Sequence, residues 1–269
     1  MIHICFNLDK KYIFPCKVLI QSIIKHTKEQ ITFHFIGIPE TDMNTNMKCI
    51  FYPNPDLSWF TSENLKDYYY FSQAAMYRLL IPFLIKEDKV LYMDIDMLVR
   101  DDIKKLYDTE VKYVGAVIDP CEQLHYNRLK LDSSHYYNSG LILFNSKNIR
   151  KDYPNYKELI LNAQKDYVLD LKDQDIFNIV FQQDKITTLD YKWNIDSYNL
   201  KEKGESKETS TAKDKAYENP SIVHCMGKNK WWNLEGMCFG DEWDSNNTFK
   251  TLFRNKRQVI CGVEVITNW

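Results

Sequence analysis

The stretch KVLYMDIDMLV, residues 89–99, decides how this chain is to be read. After Lys89 it runs through apolar and aromatic side chains, the composition of a buried strand, and then reaches Asp94 and Asp96 at once. Side chains alternate along an extended strand, so both carboxylates fall on one side while Ile95 turns toward the core. Open α/β sheets collect ligands at the carboxyl ends of their strands. Two unpaired carboxylates at such a place are costly without a cation. Spacing alone proves little, because 23 Asp in 269 residues give about two Asp-x-Asp triplets by chance. The chain holds two, Asp94/Asp96 and Asp173/Asp175, and only the first closes a buried strand.

Working outward, residues 2–6 form an apolar run that reads as a first strand. Pro15 then opens a helix in which Val18, Leu19, Ile23 and Ile24 recur at helical spacing. ITFHFIG, residues 31–37, alternates like a second strand, and residues 76–85 predict a helix that Pro82 turns toward the acidic strand. YVGAVID (113–119) and GLILFN (140–145) add strands; helical patterns cover 156–163 and 174–181. Strands alternating with helices make an α/β fold. Residues 121–137 and 201–219 are much more polar than their surroundings and read as loops, the second as a mobile surface insertion.

Lys and Arg number 35 against 37 Asp and Glu, so no chain-wide basic field draws in nucleic acid. With 44% hydrophobic and 27% charged residues the composition is that of a globular protein. Seven scattered cysteines without a C-x-x-C pair indicate neither a disulfide framework nor a zinc ribbon, and point to a reducing, cytoplasmic setting. The first apolar run is too short for a secretory signal, and no stretch approaches the roughly 18 apolar residues of a membrane span.

Two carboxylates leave a hard cation short of ligands, so a third side chain is expected from elsewhere. His224 is the candidate. It ends the apolar SIVH segment, and HCMGKNKWW supplies Gly227 for close backbone approach, Lys230 for phosphate charge, and Trp231 and Trp232 as a wall. Imidazole beside carboxylates favours manganese over calcium, with magnesium as the substitute.

These segments together resemble the retaining glycosyltransferases of family 8, the group of glycogenin and the lipopolysaccharide galactosyltransferases. The resemblance rests on five ordered motifs beside the acidic strand: FNLDKKY, AAMYRLLIP, YYNSGLILFN, DQDIFN and HCMGKNKWW. It implies one GT-A domain, a Rossmann-like nucleotide-sugar-binding fold with a mixed central sheet flanked by helices, over residues 1–245, and a short C-terminal extension over 246–269. By resemblance, Asp94, Asp96 and His224 bind Mn2+ against the diphosphate of a UDP-hexose. Ile95 and Arg78 also border the donor, Lys230 and Gly227 contact phosphate, and Asp9 and Tyr12 hold uracil. Asp119, Asn138 and Asp173 would hold the donor sugar, with Gln174 near the anomeric carbon and Asp173 beside it as the catalytic pair. Asp175 resembles a structural or capping residue.

The implied reaction is transfer of galactose or glucose to a saccharide or glycolipid acceptor, in bacterial surface polysaccharide or lipopolysaccharide synthesis. Two departures stand out: Trp231 occupies the place after the phosphate lysine where the family often has proline, and the tail VICGVEVITNW lacks a long basic, aromatic extension. Membrane association is therefore expected to be peripheral at most, at the inner face. A HAD-like phosphatase would also use a strand followed by Asp-x-Asp. Met97 and Leu98 stand where that class shows Gly and Thr. A non-catalytic nucleotide-sugar-binding protein is the other alternative.

Overall fold

The computed structural model describes residues 1–43, 45–66, 72–197, 207–227 and 230, with the strand pair 259–260 and 263–264. Ten further strands lie among the described residues: β1 Ile2–Asn7, β2 Ile31–Ile36, β3 Cys49–Tyr52, β4 Lys89–Met93, β5 Met97–Val99, β6 Val114–Ile118, β7 Tyr137–Asn145, β8 Ile186–Thr188, β9 Ile195–Asp196 and β10 Ile222–His224. Seven of them form the central sheet in the order β3-β2-β1-β4-β7-β6-β8. β1 to β4 run parallel where they pair, whereas β7 lies antiparallel to both β4 and β6. The sheet is therefore mixed, as the resemblance implied.

Alternation along the strands divides the core into two apolar layers. Val90, Tyr92, Ile142 and Phe144 face one side, together with Ile160 and Phe177 from helices Tyr156–Asp166 and Asp173–Val180. Leu91, Met93, Leu141 and Leu143 face the other, against Leu19, Ile20 and Ile23 of helix Ile13–His26. Pro15 sits in the first turn of that helix, where its missing N–H costs nothing.

Four expectations need correction. Residues 207–218 form a helix, Lys207–Glu218, although their polar composition predicts a loop. Ala216 and the stem of Lys213 are buried beneath it, and Tyr217 donates to the Asp196 carbonyl at 2.6 Å. Residues 201–206 lie outside the described residues. Within 121–137, residues Glu122–Leu129 are likewise helical. The segment before β4 is a 3-10 helix, Gln73–Leu80, continued by one α turn, Ile81–Leu84, so Pro82 stands in a first turn and breaks nothing. Lastly, β4 ends at Met93, and Asp94–Asp96 turn the chain out of the large sheet into a small one of order β5-β10-β9. The two carboxylates converge through that turn, not through strand alternation. The extension expected at 246–269 lies outside the described residues apart from its two short strands.

Candidate active site

The break between the two sheets opens a cavity of about 400 Å³. β5 pairs antiparallel with β10, setting His224 opposite Met97, and β9 pairs with β10 from the other side. His224 is thereby carried over the Asp94–Asp96 turn: its Nε2 lies 3.2 Å from Asp96 Oδ1 and 3.8 Å from Asp94 Oδ2. One ligand atom from each of the three residues falls within a 4.8 Å cluster. Two carboxylates and an imidazole make a donor set able to hold a divalent cation.

Close approach of these groups depends on Gly140 in β7. A Cβ there would stand 2.4 Å from His224 Cε1 and 2.9 Å from Asp94 Oδ2. The Gly140 carbonyl accepts the Asp94 amide at 2.7 Å, tying the turn to β7. His224 Nδ1 lies 2.9 Å from Asn194 Oδ1, and the Asn194 amide donates to Asn138 Oδ1 at 2.8 Å. That chain orients the ring so that Nε2 faces the carboxylates.

Arg78 holds the opposite wall. It is buried, reaches Asp94 Oδ1 at 3.0 Å and Asp173 Oδ2 at 3.1 Å, and donates to the Ser139 carbonyl at 2.6 Å. Tyr92 stacks beneath the guanidinium at 4.7 Å and donates its hydroxyl to Asp94. Burial raises the Asp173 carboxyl to about 6, with Arg78 opposing and Asp94 adding to the rise. Burial would also raise Asp96, but Lys230 and His224 beside it hold its carboxyl well below the usual range. The Lys230 ammonium meets Asp96 Oδ2 and donates to the Cys225 carbonyl at 2.9 Å.

At the far end, Gln174 is fixed by both ends of its amide. Nε2 donates to Asp119 Oδ2 at 3.1 Å, and Oε1 accepts from the Ser139 amide at 3.0 Å and from Asn138 Nδ2 at 3.2 Å. Asp119 also accepts from the Cys121 amide at 2.8 Å, closing its own turn. Asp173 opens helix Asp173–Val180 yet spends its carboxylate on Arg78 and Ser139. Asp175 is fully buried, gripped by Arg128 at 2.7 Å, by the Tyr136 hydroxyl at 2.7 Å and by the Leu171 amide at 2.9 Å. It faces away from the cavity.

Tyr12, Ile95 and Gly227 line the cavity too, Gly227 with a left-handed φ of +73°. Asp9 stands one turn before Tyr12, outside the lining, and its carbonyl accepts the Tyr12 amide at 2.9 Å. Trp231 and Trp232 lie outside the described residues. The sequence reading missed Gly140, Ser139, Asn194 and Asn7. Asn7 ends β1 at the cavity with both amide atoms buried and without a protein partner among the described residues. Gly140 and Ser139 stand inside a quoted motif and could have been singled out there, while WNID around Asn194 carries no signal.

The family model described as glycosyl transferase family 8 matches residues 3–236. The chain belongs to that family. Among relatives of this family 8 chain, general stress protein A of Bacillus subtilis is 34% identical over 177 residues, 60% of each chain. Glycosyltransferase GlyF of Streptococcus pneumoniae is 24% identical over 248 residues, covering 84% of this chain and 56% of its own length. The matches thus span less than two thirds of either bacterial relative. The crystal structure of galactosyltransferase LgtC with donor and acceptor sugar analogs superimposes at a TM-score of 0.72, with 22% identity over 91% of this chain and 94% of that one. The family 8 fold here is therefore the GT-A fold of LgtC. Among the described residues no helix is long and apolar enough to cross a membrane.

Proposed function

We propose that this family 8 chain is a retaining glycosyltransferase that moves a hexose from a UDP-sugar to a saccharide or glycolipid acceptor. The observation that carries this reading is the Asp94–Asp96–His224 cluster, opened by Gly140, in one cavity with Arg78, Lys230, Asp119 and Gln174. Those three residues would hold Mn2+, or Mg2+ in its place, and the bound ion would supply positive charge against the diphosphate of the leaving UDP.

Arg78 and Lys230 would neutralise charge growing on the leaving oxygens, so no proton donor to UDP is needed. Gly227 would let the backbone approach phosphate, and Asp9, Tyr12 and Ile95 would border the nucleoside. Asp119, Asn138 and Asp173 would hold hydroxyls of the donor sugar. Gln174 is an amide, a feeble nucleophile, and its carbonyl end already points into the cluster of donors around Ser139. Front-face attack follows: the bond from the anomeric carbon to UDP breaks with its electron pair, and the acceptor oxygen bonds to the same face. The acceptor proton passes to the departing phosphate oxygen. Gln174 would steady the positive sugar with its carbonyl dipole, and Asp173 would support it from the adjacent position. The enzyme would work in the cytoplasm, at most peripherally on the inner face of the membrane, in surface polysaccharide synthesis.

The test is Mn2+-dependent release of UDP across a panel of UDP-hexoses, comparing the protein with Asp94→Asn/Asp96→Asn. Release from one donor, abolished in the variant, supports the reading and names the sugar. No turnover of any donor, with Mn2+ and UDP still raising the melting temperature, would show a binding protein without catalysis. Normal activity in Gln174→Ala would remove Gln174 from the mechanism.

A further inference from the structure

A second cluster of metal-ligating side chains lies on the same sheet, away from the cavity. His3 on β1, His34 on β2 and Glu87, two residues before β4, bring one ligand atom each to within 4.8 Å of the others. His3 Nδ1 is 3.1 Å from His34 Nε2 and 3.9 Å from Glu87 Oε1. We propose that His3, His34 and Glu87 form a structural site for a divalent transition ion, Zn2+ being the best match, distinct from the Asp94–Asp96–His224 cluster.

Distances support the assignment. Two nitrogens each about 2.0–2.1 Å from one ion stand about 2.9 Å apart at a right angle and about 3.3 Å apart in a tetrahedron. The observed 3.1 Å lies between those values. Glu87 Oε1 stands 3.9 Å from His3 Nδ1, and its side chain is 27% exposed, as against 18% for His3, so an ion can enter from solvent. His34 is fully buried. The set of two imidazoles and one carboxylate suits zinc better than a hard ion such as Ca2+ or Mg2+.

The surroundings hold the ligands as supporting residues around metal sites do. His34 Nδ1 lies 3.3 Å from the Tyr52 hydroxyl, a partner that leaves Nε2 facing His3. Arg150 donates to the carbonyls of Pro82 and Ile85 at 2.9 and 3.1 Å, and to Lys86 at 3.1 Å, fixing the backbone from which Glu87 projects. Burial lowers both imidazoles, His34 to about 4; the charge of Glu87 opposes this, and Lys48 acts in the same direction as burial on both rings. Both rings are thus neutral near pH 7, with lone pairs to give. On binding, the proton shared by the two facing nitrogens shifts to the far nitrogen of the ring that carries it, three metal–ligand bonds replace bonds from the ion to water, and no electron is exchanged. The ion would tie β1 and β2, already paired along their length, to the loop entering β4.

The experiment measures Zn2+ retained after dialysis, and the rise in melting temperature that Zn2+ gives, in three proteins. Asp94→Asn/Asp96→Asn should keep one tightly held equivalent and most of the rise. His3→Gln/Glu87→Gln should lose both while still releasing UDP from the donor that the wild type uses. Tyr52→Phe, which keeps the ring, should weaken Zn2+ roughly tenfold. Co2+ in place of Zn2+ should show visible d–d bands without thiolate charge transfer. Retention of Zn2+ in His3→Gln/Glu87→Gln, or its loss from Asp94→Asn/Asp96→Asn, overturns the proposal. Thiolate bands from Co2+ do so as well, by assigning the metal to cysteine.

Discussion

Arg78 and Asp173 are buried against each other, Nε to Oδ2 at 3.1 Å, with side chains 7% and 4% exposed. The same guanidinium also reaches Asp94, so one cation is shared between the turn after β4 and the start of helix Asp173–Val180. Arg78→Ala leaves the buried Asp173 carboxylate and half-buried Asp94 without their shared cation and should cost about 3–5 kcal/mol in stability, read from urea unfolding. Arg78→Lys keeps the charge but not the planar fork, and should recover part of that stability with little recovery of UDP release.

Asp173 also sets a pH dependence. Burial raises its folded-state carboxyl to about 6, above the ordinary aspartate range, so the folded protein holds this proton more tightly than the unfolded chain does. The stability it contributes is complete below about pH 4 and is lost as pH rises through about 6. Unfolding free energies measured from pH 4 to 7 should fall in the wild type relative to Asp173→Asn over that window. Parallel curves for the two proteins would contradict the assignment.

Gly140→Ala puts a methyl group where His224 and Asp94 already stand. The strand should persist, at a cost of about 1–3 kcal/mol, while the three donors are pushed apart. Mn2+ titration followed by electron paramagnetic resonance should show binding reduced more strongly than stability. Asn194→Ala removes the hydrogen bond to His224 Nδ1 without adding bulk. It should weaken Mn2+ by roughly 10–100-fold.

The second acidic triplet separates structure from chemistry within three residues. Asp173 lines the cavity, whereas Asp175 is spent on Arg128, Tyr136 and the Leu171 amide. Asp175→Asn should lower stability by about 3 kcal/mol, with UDP release per folded molecule nearly unchanged below the new melting temperature. A large loss of turnover at full folding would place Asp175 in the site.

The strong features of the sequence were its continuous apolar runs. Those in residues 89–93 and 140–145 revealed both strands that frame the cavity, and the quoted motifs carried Arg78, Asn138, Gln174 and His224. β5, β9 and β10 escaped because two or three residues cannot show a period; their pairing is tertiary. Asn194 was invisible for the same reason, since its value lies in reaching His224 across 30 positions. Helix Lys207–Glu218 was misread because its buried face consists of Ala216 and side chains with polar tips, so composition hid a helix that Lys, Glu and Ala favour.

β4 leaves the central sheet where its antiparallel neighbour β7 enters it, and Asp94 meets Gly140 at that crossing. An outgoing strand and an incoming one thus deliver their cargo to a single address, from segments more than forty residues apart in the chain. Loops elsewhere on the molecule can lengthen, shorten or change composition without moving that address. The rim is then free to drift while Asp94 and Gly140 stay moored to the sheet.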